Sequence, residues 1–208
     1  MNIRNICLLG HGGEGKTSLA ESMLFSTGGT DRLGKVADGN TVCDFDPEEI
    51  RRKISISATP VPVEFGGNKL NVIDTPGYFD FSGEVLQALR VADTAVVVAS
   101  AKGGVGVGAE KVWKYSAGKS RFVYVSKVDE ENANFTGTYE QLREKFGISL
   151  CPVVIPASQG DKVTVQRFGI VPIFRLLLKV GSLEPPSCGQ FEQDDVIAVI
   201  EARDGMGF

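Results

Sequence analysis

Eight residues near the N-terminus, Gly10-His11-Gly12-Gly13-Glu14-Gly15-Lys16-Thr17, have the types and spacing of a loop that holds phosphate. In such a loop, successive backbone N–H groups aim at one point, and the helix that follows adds its positive end. Lys16 would reach the terminal phosphates of a nucleotide, and the Thr17 hydroxyl would hold Mg²⁺. The flanks suit this chemistry. Ile6-Cys7-Leu8-Leu9 predicts a buried strand before the loop. Ser18 to Phe25 predicts a helix after it, with an apolar face on Leu19, Met23 and Leu24. A glycine-rich turn followed by a chance Lys-Thr is the competing reading, and this strand-loop-helix context speaks against it.

A second motif, Asp74-Thr75-Pro76-Gly77, follows an apolar strand. A strand-terminal Asp can hold Mg²⁺ through water, and Gly77 can offer a backbone N–H to a γ-phosphate. The same four residue types also favour plain turns, so position after the loop carries the argument. A third motif, Ser126-Lys127-Val128-Asp129, closes a later strand. Its Asp can accept two hydrogen bonds from a guanine edge, a donor pair that adenine lacks. The Lys127 stem would lie over the base.

The segments around these motifs alternate between strand and helix character. Ile54 to Phe65 predicts a strand, and Pro60 with Pro62 puts it at a sheet edge. Gly66-Gly67-Asn68 turns it into a partner strand running to Asp74. Thr94–Ala99, Arg121–Ser126 and Leu150–Ile155 are further apolar strands. Glu84–Val91, Ala109–Ala117 and Thr138–Phe146 are helices between them. Gly28 to Arg52 is polar, aperiodic and expected to be a mobile loop. This order predicts a mostly parallel sheet wrapped by helices, with ligands at the carboxyl ends of the strands.

Composition narrows the class. The chain has 208 residues, 42% of them hydrophobic and 23% charged, as in a globular protein. A net charge of -4 makes no general case for nucleic-acid binding. Four widely spaced cysteines form no zinc pattern, and Cys7 and Cys151 are expected to pack as small hydrophobes. Phe168 to Val180 is too short and too charged to span a bilayer, so no membrane partner is expected. With no signal peptide before the first strand, the expected compartment is the cytoplasm, and the expected state a monomer.

The three motifs in order make the chain resemble translational GTPases, in particular elongation factor G and its divergent elongation-factor-G-like branch. The likeness runs from about Asn2 to Lys162 and includes Asp46-Pro47-Glu48-Glu49-Ile50, Ile54-Ser55-Ile56-Ser57 and Asp74 to Phe81. It implies a P-loop NTPase fold, GTP or GDP as ligand, Mg²⁺ as cofactor and a possible role on the ribosome. It implies a nucleotide site built from Gly10 to Thr17, Asp74 to Gly77, Ser126, Lys127 and Asp129, with metal held by Thr17, Ser55 and Asp74. Gly28 to Ser57 would be a first switch loop and Thr75 to Gly83 a second.

The sequence departs from the family pattern at several points. Tyr78 stands where the family has the His that positions the attacking water, and a neutral phenol predicts slow hydrolysis. Gly13 replaces an Asp, and Glu14 lies beside the phosphates, harmful if it points inward and harmless if it points to solvent. Ser126 replaces an Asn and loses an amide that braces the loop. Lys53 replaces a Gly, which strains any backbone that needs positive φ. The family likeness stops near Lys162, so residues 1–162 are expected to be an incomplete GTP-binding domain and 163–208 an unrecognised tail. That tail would form a helix and a strand over the sheet, or come from a shifted reading frame, a reading the abrupt stop favours. The expected function is GTP binding with weak hydrolysis. A nucleotide switch without hydrolysis and an inactive fragment are the alternatives, and Asp129 argues against an ATPase.

Overall fold

A computed structural model describes residues 2–147, 150–152, 154–159, 162–167 and 197–200. Its strands are β1 (Ile3–Gly10), β2 (Thr59–Phe65), β3 (Asn68–Asp74), β4 (Thr94–Ser100), β5 (Ser120–Ser126), β6 (Cys151–Pro152), β7 (Val154–Gln159), β8 (Lys162–Arg167) and β9 (Ile197–Ile200). Seven of them form the main sheet, in the order β2-β3-β1-β4-β5-β9-β6. All neighbours in it pair in parallel except β2 and β3. The proline-bearing β2 is the antiparallel edge, as its sequence predicted. Its hairpin turns through Gly66 and Gly67 at φ 55° and 74°, a conformation that only glycine adopts without cost. Among the described residues five helices flank the sheet: α1 (Lys16–Ser26), α2 (Pro47–Arg52), α3 (Ser82–Val91), α4 (Val107–Tyr115) and α5 (Phe135–Phe146).

The strands' period of two builds two cores. Ile6 and Leu8 face Leu19, Met23 and Leu24 of α1, together with Val61, Leu70 and Val72. Cys7 and Leu9 face the other layer, with Val85 and Leu89 of α3, Val112 and Trp113 of α4, and Leu142 of α5. Every residue of β4 is buried, as a strand covered on both faces must be. This fixes the carboxyl ends of β1, β3, β4 and β5 along one rim.

Three expectations change. Gly28 to Arg52 is not without regular structure: Val36–Asp38 forms a 3₁₀ turn and Pro47–Arg52 a helix. The helix signal was present in Asp46-Pro47-Glu48-Glu49, where Asp46 caps, Pro47 starts the helix and Glu49 completes a capping box. The strand expected from Ile54 begins only at Thr59, because the backbone of Ile56, Ser57 and Ala58 bonds to glutamate side chains instead of a neighbouring strand. The single strand expected over Leu150–Ile155 divides. Cys151–Pro152 joins the main sheet, while β7 forms a separate hairpin with β8. Within the tail, β9 is a strand between β5 and β6. The expected tail helix and the Cys151 and Cys188 side chains lie outside the described residues. No helix among the described residues is long and apolar enough to cross a membrane.

Candidate nucleotide site

The loop between β1 and α1 closes on glycines whose conformations are required. Gly10 has φ +148°, and a Cβ there would stand 2.5 Å from the Val98 carbonyl oxygen. Gly15 has φ +92° and caps α1. The Lys16 ammonium, 5% exposed, donates to the Gly10 and His11 carbonyls at 3.2 and 2.8 Å. Burial lowers the Lys16 pKa, and the nearby carboxylates Asp74, Glu14 and Asp44 oppose that shift. Gly77 lies directly against this loop: a Cβ would come within 2.5 Å of the Gly12 nitrogen and the Lys16 Nζ.

The Thr17 hydroxyl donates to Asp74 Oδ2 at 2.7 Å and lies 3.2 Å from the Ser55 Oγ. Asp74 ends β3, is 1% exposed, and its Oδ1 meets no partner among the described residues. Burial pushes its pKa up to about 7, against the Thr17 hydrogen bond and the Lys16 charge. Asp44 joins them from the loop before α2. It is 4% exposed, and neither of its oxygens accepts a well-formed hydrogen bond among the described residues. Burial raises its pKa, and the Ser55 hydroxyl nearby offsets part of that. Two hydroxyls and two carboxylates with orphaned oxygens form a donor set that suits a hard divalent cation such as Mg²⁺. Asp44 escaped the sequence reading. Its only signal is an acid lodged in the otherwise apolar run Val42-Cys43-Asp44-Phe45.

These groups open onto a cleft of about 280 Å³ lined by Gly12, Gly13, Gly15, Lys16, Thr17, Ser55, Gly77, Tyr78, Ser126, Lys127 and Asp129. The three sequence motifs therefore converge. Asp44, Lys53 and Glu130 also line the cleft. Gly10, His11, Glu14, Asp74, Thr75 and Pro76 shape the site from outside that lining. The Thr75 hydroxyl is spent on the Leu8 carbonyl at 2.5 Å. Glu14 takes neither of its two expected positions. Its carboxylate folds behind the loop, 7% exposed, and accepts the His11 N–H at 2.7 Å. Burial pushes its pKa up to about 7, while the His11 hydrogen bond, Lys16 and Lys127 pull the other way.

Ser126 keeps a brace that the loss of the amide was expected to remove. Its hydroxyl donates to the Glu14 carbonyl at 2.7 Å, tying the end of β5 to the phosphate loop. Lys53 does adopt φ 57°, the left-handed backbone expected to strain a lysine. Tyr78 is 43% exposed, and its ring lies over Gly12, where a Cβ would meet it at 2.8 Å.

Comparison with known proteins agrees with this arrangement. Residues 1–202 match the family described as the elongation factor Tu GTP binding domain. The mitochondrial ribosome-releasing factor 2 of Culex quinquefasciatus is 39% identical over 78% of this chain and 22% of its own length. An elongation factor G-like protein of Mycobacterium tuberculosis is 37% identical over 76% of this chain and 22% of its own. Elongation factor G 2 of Streptomyces coelicolor is 38% identical over 84% of this chain and 25% of its own. The chain thus spans about a quarter or less of the length of these relatives. A crystal structure of a Thermus thermophilus protein aligns at a TM-score of 0.80 and 28% identity, covering 96% of this chain and 37% of that one. Motif order, sheet topology and these likenesses together place the chain in the elongation factor Tu GTP-binding domain family, as an elongation-factor-G-like GTP-binding domain.

Proposed function

We propose that the cleft binds GTP and GDP with Mg²⁺ and hydrolyses GTP to GDP and phosphate slowly. The observation that carries this reading is the convergence of Lys16, Thr17, Gly77, Ser126, Lys127 and Asp129 on one cleft, with Asp74 hydrogen-bonded behind Thr17. Lys16 and the loop's N–H groups would neutralise the β- and γ-phosphates, with Gly77 adding a backbone N–H. Asp129 would read the guanine edge, and the Lys127 stem would cover the base. Thr17, Ser55, Asp74 and Asp44 would hold the metal. A Mg²⁺ held by them would supply positive charge to neutralise the phosphates. Every one of these residues falls within residues 1–162, which we assign as the nucleotide domain, and none in 163–208.

Tyr78 limits the chemistry. A neutral phenol does not take a proton from water at pH 7, and its ring lies against Gly12. This favours a second reading, a guanine-nucleotide switch that barely hydrolyses. A ribosomal role follows only from the relatives' names, and a cytoplasmic monomer is the simplest setting.

Melting the purified chain with Mg²⁺ and excess GDP, GTP or ATP tests the proposal. At a hundred times Kd a ligand adds about 2.7 kcal/mol. That corresponds to a rise of about 5–10 °C for a domain of this size. A rise with guanine nucleotides alone supports the reading, and no rise with any nucleotide sinks it. Tyr78→His should then raise phosphate release about tenfold or more at unchanged GTP affinity, whereas an unchanged rate would remove Tyr78 as the cause of slow hydrolysis.

A further inference from the structure

The segment of residues 41–58 brings Asp44 and Ser55 to the site on the irregular stretches that flank α2. Two glutamates outside the cleft lining hold those stretches. Glu21 on α1 is 1% exposed, and its Oε1 accepts the backbone N–H groups of Val42 and Cys43 at 2.6 and 3.0 Å. The next residue is Asp44. Glu49 on α2 is also 1% exposed, and its Oε1 accepts the N–H groups of Ile56 and Ser57 at 2.9 and 3.0 Å. Its Oε2 accepts the N–H of Asp46 at 3.2 Å. The residue before Ile56 is Ser55.

The two grips have the same form. In each, one buried carboxylate oxygen takes two adjacent backbone donors, and the site residue sits directly beside that pair. Bonds from neutral N–H groups to an ionised carboxylate are about twice as strong as neutral ones. Each pair fixes the direction of a peptide plane and hence the aim of the neighbouring side chain. The Glu21 Oε2 is buried against Gly34, where only a residue without a Cβ leaves room for it. Glu49 is held by the capping box it completes with Asp46.

We propose that Glu21 and Glu49 are the positioning residues of the metal half of the site. They touch neither nucleotide nor metal: Glu21 docks the 41–58 segment onto α1 beside Asp44, and Glu49 ties the two ends of that segment together beside Ser55, so that Asp44 and Ser55 meet Thr17 and Asp74. The part of this that concerns nucleotide rests on the GTP reading above. The dependence it creates is selective. Metal-assisted binding of GTP needs the docked loop, whereas metal-free binding of GDP draws on the phosphate loop and the base site.

The test uses the full chain with Glu49→Ala and the near-isosteric Glu49→Gln, which keeps one accepting oxygen. The first readout is limited trypsin cleavage after the exposed Arg51, Arg52 and Lys53, followed by mass spectrometry. Glu49→Ala should be cut at least fivefold faster than the unmodified chain, with Glu49→Gln in between. The second readout is affinity. Glu49→Ala should weaken GTP binding in Mg²⁺ about tenfold and leave GDP binding in EDTA within twofold, and Glu21→Gln should do the same more mildly. Unchanged cleavage overturns the proposal. So does an equal loss for both nucleotides with and without metal, which is the mark of general unfolding. If the unmodified chain binds neither nucleotide, the functional reading falls, and the cleavage comparison alone decides the positioning role.

Discussion

Replacing Lys53 by glycine should make the protein more stable, although it removes a side chain and adds no contact. Lys53 follows α2 at φ 57° and ψ 40°, and its N–H closes the helix on the Glu49 carbonyl. In that left-handed region a Cβ crowds the following carbonyl, at a cost of about 1–2 kcal/mol that glycine avoids. Against this gain, glycine makes the unfolded chain more flexible, which returns about 0.4–1 kcal/mol. The net for Lys53→Gly is a stabilisation of roughly 0.5–1 kcal/mol, or about 1–4 °C in Tm for a domain of this size. Lys53→Ala is the control. It loses the same exposed charge and stem but keeps the Cβ, so it should be no more stable than the lysine form. Urea unfolding of the three proteins reads the difference directly. If glycine proves no more stable than alanine, the strain assigned to Lys53 is not present in solution. The chain around Ser55 would then not follow the path described above.

Further outcomes follow from the site. Glu14 has its folded-state pKa raised to about 7, so the folded protein favours its protonated form. Its share of stability is therefore full below about pH 4.5 and is lost as pH rises through 7. Glu14→Gln should be more stable than the native chain at pH 8, by at most about 3 kcal/mol, and equal to it near pH 4. A difference that does not change with pH would contradict this. Asp74 shifts in the same direction, so only the difference between the two proteins is diagnostic. Gly77→Ala would drive a Cβ into the Gly12 nitrogen and Lys16 Nζ, each 2.5 Å away, and should weaken nucleotide binding at least tenfold with little change in melting of the free protein. Titration with a fluorescent GDP analogue checks this, and retained affinity would show that the loops need not meet. Ser126→Ala removes the hydroxyl that ties β5 to the Glu14 carbonyl and should cost about 1 kcal/mol in urea unfolding. No measurable cost would mean that the brace is idle.

Much of this protein was legible from residues alone because it depends on local chemistry. The phosphate loop needs glycines at fixed offsets, a strand before it and a helix after it, and all of these are contiguous in Ile6 to Phe25. The unbroken apolar runs of β1 and β4 and the prolines of β2 likewise report burial and edge position without reference to the rest of the chain. The family resemblance marked Lys53 as strained if its backbone took positive φ, and the fold supplied that φ. Other features were decided only where distant segments meet. Asp44 looks like one more loop acid until the chain folds it against Ser55 and near Lys16. Glu14 had two plausible directions, and the space behind the loop, next to the His11 N–H, selected a third. Ser126 was read as a lost brace because the distance from a short hydroxyl to a carbonyl in another loop cannot be judged from sequence. Glu21 looked like an ordinary helix carboxylate and Glu49 like one more acid of a mobile loop, since only the folded 41–58 segment presents the backbone donors they hold. Local propensity and spacing thus determined the elements and the motif chemistry. The aim of the polar side chains was set by the folded backbone, whether the partner is three residues away, as for Glu14, or more than a hundred, as for Ser126.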